Sequence, residues 1–281
     1  MSELPEPYAT NLPPLLALAF SEDLPDITGN AIFTAEAHAK ARIIAKKDGV
    51  LAGVPAAGFA FRFLDPRCQV AIRLGDGSAV TAGQTVLEVW GPARALLAAE
   101  RTALNFLMRL SGVATLTRKF VSQLEGTGCR LLDTRKTTPG FRRLEKHAVR
   151  CGGGTNHRMG LFDAAMIKDT HIAACGSITQ AVARVREVWG EKVPLIVECA
   201  SLEQVDEALA CHVPHLLLDN MDLPTLRQAV AKAKGKAVLE ASGGVHLENV
   251  REVALTGVDF VSVGAITHSA PALDCSMEVV A

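Results

Sequence analysis

In the second half of the chain, short apolar runs end in a polar or glycine residue at a nearly constant step. The runs are Leu131-Leu132, Ala164 to Ile167, Pro194 to Val197, Leu216 to Leu218, Ala237 to Leu239 and Phe260 to Val263. They end at Asp133, Lys168, Glu198, Asp219, Ser242 and Gly264, and from Lys168 onward these ends lie 30, 21, 23 and 22 residues apart. One strand, one crossover helix and two turns fill such a step, so the pattern predicts successive βα units with parallel strands buried on both faces.

The segments between the runs read as helices. In Ser177 to Trp189 the apolar positions 178, 181, 182, 185, 188 and 189 follow a helical period. Ser177 with Gln180 and Ser201 with Gln204 have the spacing of capping boxes, and Asp222 before Leu223-Pro224 reads as an N-cap with an early proline. About six strands are visible. We therefore expect an α/β chain whose second domain is an incomplete, six-stranded β/α barrel over 112–269. In such barrels the chemistry gathers at the strand C-terminal ends, which makes the six end residues candidates together.

The first half lacks that step. Ala39 to Leu51, Val70 to Leu74 and Gln84 to Val89 read as strands separated by turns such as Gly75-Asp76-Gly77. A helix is expected after Gly91-Pro92, running through Arg94 to Leu110 and carrying Glu100, Arg101 and Asn105. This predicts a sandwich-like α+β domain over 1–111, with a boundary near Ser111-Gly112 and the tail from about 270 to 281 packed on it.

Between residues 129 and 171 nine Lys/Arg face four Asp/Glu, a local +5 in a chain of formal net charge −1. The cluster holds Arg135-Lys136, Gly152 to Gly154, Asn156-His157-Arg158 and Lys168. Guanidinium forks beside flexible backbone N–H groups suit a multiply anionic small molecule. Charge runs usually form solvated helix faces, and that is the expectation for Arg142, Arg143, Glu145, Lys146 and Arg150. Arg135, Lys136, His157, Arg158 and Lys168 instead flank turns or end apolar runs.

Glu198 and Asp219 end neighbouring strands. Two carboxylates there suit a hard, oxygen-ligated ion such as Mg²⁺, held partly through substrate phosphates; pairing with Lys168 or an arginine is the competing role. Ser242-Gly243-Gly244, after a strand and before a helix expected at His246, and Gly264, after the last strand, suit a phosphate.

Other classes are excluded or disfavoured. No apolar run reaches the roughly 18–20 residues of a membrane span. Aromatic content of 5% and a pI near 6.7 argue against nucleic acid. The start, MSELPEPYAT, has no basic n-region, so no signal peptide is expected. The seven cysteines form no C-x-x-C pair, which predicts reduced thiols in a cytoplasmic protein, with neither a disulfide framework nor a zinc site.

Several longer motifs carry a resemblance from about Leu15 to the C-terminus. They are ERTALN at 100–105, DTRKTTPGFRRLEKHAV at 133–149, GGGTNHRMGLFDAAMIKD at 152–169, LLDNM at 217–221, LEASGG at 239–244 and SVGAITHS at 262–269. In these the chain resembles the quinolinate phosphoribosyltransferases. The resemblance implies Mg²⁺-dependent transfer of phosphoribosyl from phosphoribosyl pyrophosphate to quinolinate with decarboxylation, giving nicotinate mononucleotide, pyrophosphate and CO₂ for NAD synthesis. It implies that Arg135, His157, Arg158 and Lys168 surround the two quinolinate carboxylates, with Arg101 reaching in from the partner subunit of a homodimer or higher even oligomer. Lys136, His171 and His268 would meet the phosphates or pyrophosphate, and Ser242, Gly243, Gly244 and Gly264 would hold the 5′-phosphate. Glu198 and Asp219 would lie by the ribose and Mg²⁺, and with Lys168 and Lys136 would be the catalytic groups.

Three places depart from the family pattern. Thr170 precedes His171 where the family has Asn, the stretch from Glu22 to Thr28 lacks its glycines, and His147 stands where the family often has Tyr, which reads as surface variation. The residues also leave room for other activities. One is a phosphoribosyltransferase with another acceptor. Another is a Schiff-base aldolase using Lys168, although such an enzyme would not need the arginines. A third is a non-catalytic anion-binding protein, although Glu198 and Asp219 would only weaken anion binding.

Overall fold

The computed structural model of the chain describes residues 4–280. Its strands, in chain order, are β1 (His38–Ala45), β2 (Gly49–Val50), β3 (Gln69–Ile72), β4 (Ala79–Val80), β5 (Thr85–Pro92), β6 (Arg130–Leu132), β7 (Ala165–Ile167), β8 (Leu195–Cys199), β9 (His215–Asp219), β10 (Val238–Ser242), β11 (Phe260–Ser262) and β12 (Cys275–Val280). They divide between two compact units, one built from 1–118, 137–153 and 266–281 and the other from 119–136 and 154–265.

The first unit holds a four-stranded sheet in the order β12-β1-β5-β3, antiparallel throughout, and a small β2-β4 pair. The single strand expected over Ala39 to Leu51 breaks after Ala45, where a turn separates β1 from β2. The helix after Pro92 does not stop at Leu110 but runs as Ala93–Leu124. The Ser111-Gly112 pair, which reads as a break, lies inside it for packing reasons. Ser111 Oγ accepts from Ala52 N and donates to Ala52 O, both at 3.0 Å, and a Cβ on Gly112 would run into the Pro271 backbone. A glycine that looks like punctuation is here a point of close chain approach.

The helix Arg142–Cys151 also departs from expectation. Its Glu145 and Lys146 are fully buried rather than solvated. Glu145 receives Arg109 Nη2 at 2.7 Å and Nε at 3.1 Å, together with Thr138 Oγ1 at 2.8 Å. A buried carboxylate must be compensated in this way, because breaking such a pair costs about 3–5 kcal/mol.

The second unit is the expected parallel sheet. Its order is β6-β11-β10-β9-β8-β7, with every neighbouring pair parallel. The first strand, β6, pairs with the last, β11, while β6 and β7 are the two edges. The fold is thus an incomplete β/α barrel, open between its first two strands. The stretch at Thr155 covers the β6 edge: Thr155 N donates to Leu131 O at 2.9 Å and Asp133 N to Thr155 O at 3.2 Å. In β9, Leu216 and Leu218 are fully buried and Leu217 nearly so, the continuous burial required of a central parallel strand.

The crossover helices begin where the caps place them. Ser177 Oγ accepts from Gln180 N at 3.1 Å, Ser201 Oγ from Gln204 N at 3.3 Å, and Asp222 Oδ1 from Thr225 N at 2.9 Å. Each satisfies an N–H that the helix start would otherwise leave open, worth about 1 kcal/mol. The helix expected at His246 starts at Val250 instead, because His246 N is taken by Asn249 Oδ1 in a turn. Among the described residues no helix is long and apolar enough to cross a membrane.

Candidate active site

The strand ends of the second unit open into a cavity of about 630 Å³. Ten of the residues singled out by sequence line it: Arg135, Lys136, His157, Arg158, Lys168, Glu198, Asp219, Ser242, Gly243 and Gly244. His171 instead lines an adjoining hollow shared with Arg135, Arg158 and Lys168. Gly264 follows β11 without lining the cavity, His268 is exposed and belongs to the first unit, and Arg101 is exposed on the Ala93–Leu124 helix.

The cationic wall is built from β6 and the loop beside it. Asp133, fully buried at the β6 end, receives Asn156 Nδ2 at 2.6 Å and His157 N at 2.8 Å. These bonds pin the loop that carries His157 and Arg158 against the strand that leads into Arg135 and Lys136. Arg158 is held further by Nη1 donating to Ala164 O at 2.7 Å. Burial, and then the charge of Arg135, lower the Arg158 pKa. Like charge beside Arg158 is a cost that an anion in the cavity would relieve.

His157 is oriented at both nitrogens. Its Nδ1 accepts from Arg158 N at 2.6 Å, so Nε2 carries the proton and donates to Glu240 Oε2 at 3.2 Å. Glu240 lies in the middle of β10 and is fully buried. His215 Nε2 approaches the same carboxylate to 2.9 Å without hydrogen-bond alignment, and Ser262 Oγ donates to Oε1. Burial alone would raise the Glu240 pKa, but the two imidazoles and the hydroxyl outweigh it and hold the group near 2. Sequence reasoning missed Glu240 and His215. The available signal was a lone Glu inside the apolar run AVLEA.

Across the cavity, Lys168 Nζ lies 3.3 Å from Glu198 Oε2. Lys168 also precedes the helix Asp169–Cys175, where its N donates to His171 Nδ1 at 3.0 Å. One nitrogen of His171 is therefore engaged with the backbone. Asp219 receives Asn220 Nδ2 at 2.8 Å and pairs in register with Ser242. Asn220 has φ +52°, and its N donates to Ser242 O at 2.9 Å. Gly243 has φ +86°, and a Cβ there would strike the Asn220 side chain. Gly243 and Gly244 are both exposed to the cavity, where their backbone can approach a ligand.

Glu198 and Asp219 offer hard oxygen donors on adjacent strands, one of them already balanced by a lysine. Two carboxylates are too few for an all-protein cage but fit Mg²⁺, which keeps waters and shares its coordination with phosphates.

Known proteins match the chain along most of its length. Residues 26–111 match the N-terminal domain of quinolinate phosphoribosyl transferase, and residues 113–278 match its C-terminal domain. This chain belongs to the quinolinate phosphoribosyl transferase family. It is 43% identical over 267 residues to a probable carboxylating nicotinate-nucleotide pyrophosphorylase of Bacillus subtilis, covering 94% of this chain and 92% of that one. It is 46% identical over 244 residues to the protein of that name in Synechocystis, covering 86% and 83%. The crystal structure of NadC from Streptococcus pyogenes superposes with a TM-score of 0.91 at 40% identity, covering 95% of each chain. The β/α unit with its cation-lined cavity thus falls within the part of the chain that matches the family's C-terminal domain, and the relatives' name, carboxylating nicotinate-nucleotide pyrophosphorylase, is that of a pentosyltransferase.

Proposed function

We propose that this protein transfers phosphoribosyl from phosphoribosyl pyrophosphate to quinolinate, with Mg²⁺, and decarboxylates the product to nicotinate mononucleotide. What carries the reading is a single cavity lined by Arg135, Lys136, His157, Arg158 and Lys168 opposite Glu198 and Asp219. Relatives at 43–46% identity bear the name of that activity.

The pyridine nitrogen is itself the nucleophile, so the protein need not supply one. That nitrogen forms a bond to the anomeric carbon as the bond to pyrophosphate oxygen breaks. Arg135, Arg158 and Lys168 would hold the two acceptor carboxylates and aim the nitrogen, with the His157 ring, its Nε2–H kept by Glu240, forming the wall beside them. Glu198 and Asp219 would face the oxocarbenium character that develops on the ribose, and Lys136 the departing charge. Mg²⁺, held by Glu198 and Asp219 with the substrate phosphates, would supply charge neutralisation at the leaving group. Ser242, Gly243, Gly244 and Gly264 would cradle the 5′-phosphate, while His171 and His268 would meet phosphate oxygens. The ribosylated ring then carries a positive nitrogen that absorbs the electron pair left by the departing CO₂, and the ring carbon takes a proton.

Arg101 matches a family arginine that the resemblance brings to the acceptor from the partner subunit, and it does not line the cavity of its own chain. We therefore propose a homodimer, or a higher even oligomer, in which Arg101 serves the barrel of the neighbouring chain. Free thiols throughout the described residues suit the reducing cytoplasm, where we expect it to act.

Incubation with quinolinate, phosphoribosyl pyrophosphate and Mg²⁺ tests the reading. It expects CO₂ and nicotinate mononucleotide in equal amounts. Folded protein that yields neither overturns it.

A further inference from the structure

Outside the cavity, the first unit gathers three side chains of metal-ligating type. Asp76 stands in the turn Gly75-Asp76-Gly77, and His147 and Cys151 lie four residues apart on one face of the helix Arg142–Cys151. One ligand atom from each falls within 4.8 Å of the others. His147 Nε2 is 2.8 Å from Asp76 Oδ2, and Cys151 Sγ is 3.4 Å from His147 Nε2. Far from being surface variation, His147 is four-fifths buried and central to this group.

The arrangement is wrong for a nucleophile. In a thiol–imidazole–carboxylate relay the thiol and the carboxylate engage opposite ring nitrogens. Here both converge on Nε2, so the ring cannot pass a proton from one to the other. Convergence on a single point is what a metal ion requires.

We propose that Asp76, His147 and Cys151 form a binding site for a thiolate-accepting divalent cation, with Zn²⁺ the best match. A tetrahedral Zn²⁺ with bonds of about 2.0–2.3 Å sets its N and S or N and O ligands roughly 3.3–3.6 Å apart. The Sγ–Nε2 distance already meets this, and the Nε2–Oδ2 distance needs to open by about half an ångström. The mixed S, N, O set selects Zn²⁺ over Mg²⁺, which demands oxygen.

The surrounding shell is built to hold the ligands. Tyr8 Oη donates to Asp76 Oδ2 at 2.6 Å, and Val54 N donates to Asp76 Oδ1 at 2.9 Å. Gly53 N donates to Tyr8 Oη at 3.1 Å, and the Tyr8 and His147 rings meet edge to face at 5.2 Å. Oriented carboxylates and packed imidazoles of this kind characterise second shells of metal sites. On binding, the Cys151 thiol gives its proton to solvent, and the imidazole proton moves to Nδ1. Exposed Arg150, whose Nη2 lies 3.4 Å from Nδ1, turns away. The ion would then tie the Gly75–Gly77 turn to the Arg142–Cys151 helix, with Tyr8 of the N-terminal helix bracing it.

Titration of the full-length, metal-free protein with Co²⁺ tests the site. One equivalent should develop a thiolate-to-cobalt charge-transfer band, and one equivalent of Zn²⁺ should abolish it. Cys151→Ser should lose the band. Asp76→Asn, which keeps the shape of the carboxylate, should weaken Co²⁺ binding by at least about 10-fold, the scale on which even outer partners of a metal act. Circular dichroism confirms folding of each variant, and if Cys151→Ser does not fold, Asp76→Asn and His147→Gln decide. A band that survives Cys151→Ser, or binding unchanged in Asp76→Asn and His147→Gln, overturns the proposal, as does a wild-type protein that gives no band.

Discussion

Glu240 Oε2 accepts the Nε2 proton of His157 at 3.2 Å from the interior of β10. A carboxylate with no exposed surface therefore fixes the tautomer of an imidazole that lines the cavity. Glu240 touches a group expected to meet substrate but is itself a positioning residue.

Its depressed pKa makes this relationship testable by pH. The folded value near 2 lies below the ordinary 4.5. The ionised form is thus favoured by folding, and the contribution is present above about pH 4.5 and lost as pH falls through about 2. The shift corresponds to roughly 3 kcal/mol. Glu240→Gln should be less stable than wild type in urea at pH 7, and the gap should narrow on acidification below pH 4.5. A gap constant from pH 7 to pH 3 would show that the charge contributes nothing.

Glu198 and Asp219 should matter more to turnover than to acceptor binding. Replacing either with Ala should lower kcat on the order of 10²-fold or more, the scale of losing one charge-stabilising group, while calorimetry still detects quinolinate binding. Near-normal turnover in Glu198→Ala would leave the Lys168–Glu198 ion pair as a purely structural feature. The same pair bears on Lys168 itself: its Nζ, 3.3 Å from Glu198 Oε2, is placed as an ion-pair partner and not as an imine former, so borohydride reduction with substrates present should leave no mass adduct on it. A trapped adduct would move the protein to the Schiff-base aldolases.

Gly243 cannot take a side chain without displacing Asn220. With φ at +86° and Asn220 in the path of a Cβ, Gly243→Ala should cost about 1–3 kcal/mol at the strand ends. We expect this as a 10-fold or greater rise in KM for phosphoribosyl pyrophosphate with quinolinate binding little changed. An unchanged KM would remove the Ser242–Gly244 turn from the phosphate site.

The acceptor site should discriminate by charge count. The charge of Arg135 lowers the Arg158 pKa, a cost that a dicarboxylate offsets more fully than a monocarboxylate. Quinolinate should react and nicotinate far more slowly. Comparable kcat/KM values for the two would sink the dicarboxylate assignment.

The parts of this fold that sequence exposed are those fixed by local rules. Buried parallel strands need unbroken apolar runs, and helix starts need caps, so the ends at Lys168, Glu198, Asp219 and Ser242 and the caps at Ser177, Ser201 and Asp222 could be placed in advance. What stayed hidden depends on distant neighbours. Gly112 reads as a helix breaker until the Pro271 backbone lies against it. Glu145 reads as a solvated charge until Arg109 reaches it. Glu240 and His215 read as ordinary strand residues until His157, more than fifty residues away in sequence, turns its ring toward the same carboxylate. Asp76 and His147 are separated in the same way.

Arg101 gives the sharpest test of the assembly. It lies exposed in the first unit, on the Ala93–Leu124 helix, and does not line the cavity. If it serves the barrel of the neighbouring chain, Arg101→Ala and Lys168→Ala proteins should each be nearly inactive. Mixed after mild dissociation, they should complement one another. In a mixed dimer, the barrel from the Arg101→Ala chain keeps its Lys168 and receives Arg101 from the other chain, while the second barrel lacks both. Random pairing makes half the dimers mixed, so roughly a quarter of wild-type sites should return, by the two-fold geometry of such a pair. Native mass spectrometry counts the mixed dimers independently of activity. Mixed dimers without recovered turnover would mean that Arg101 acts within its own chain or not at all.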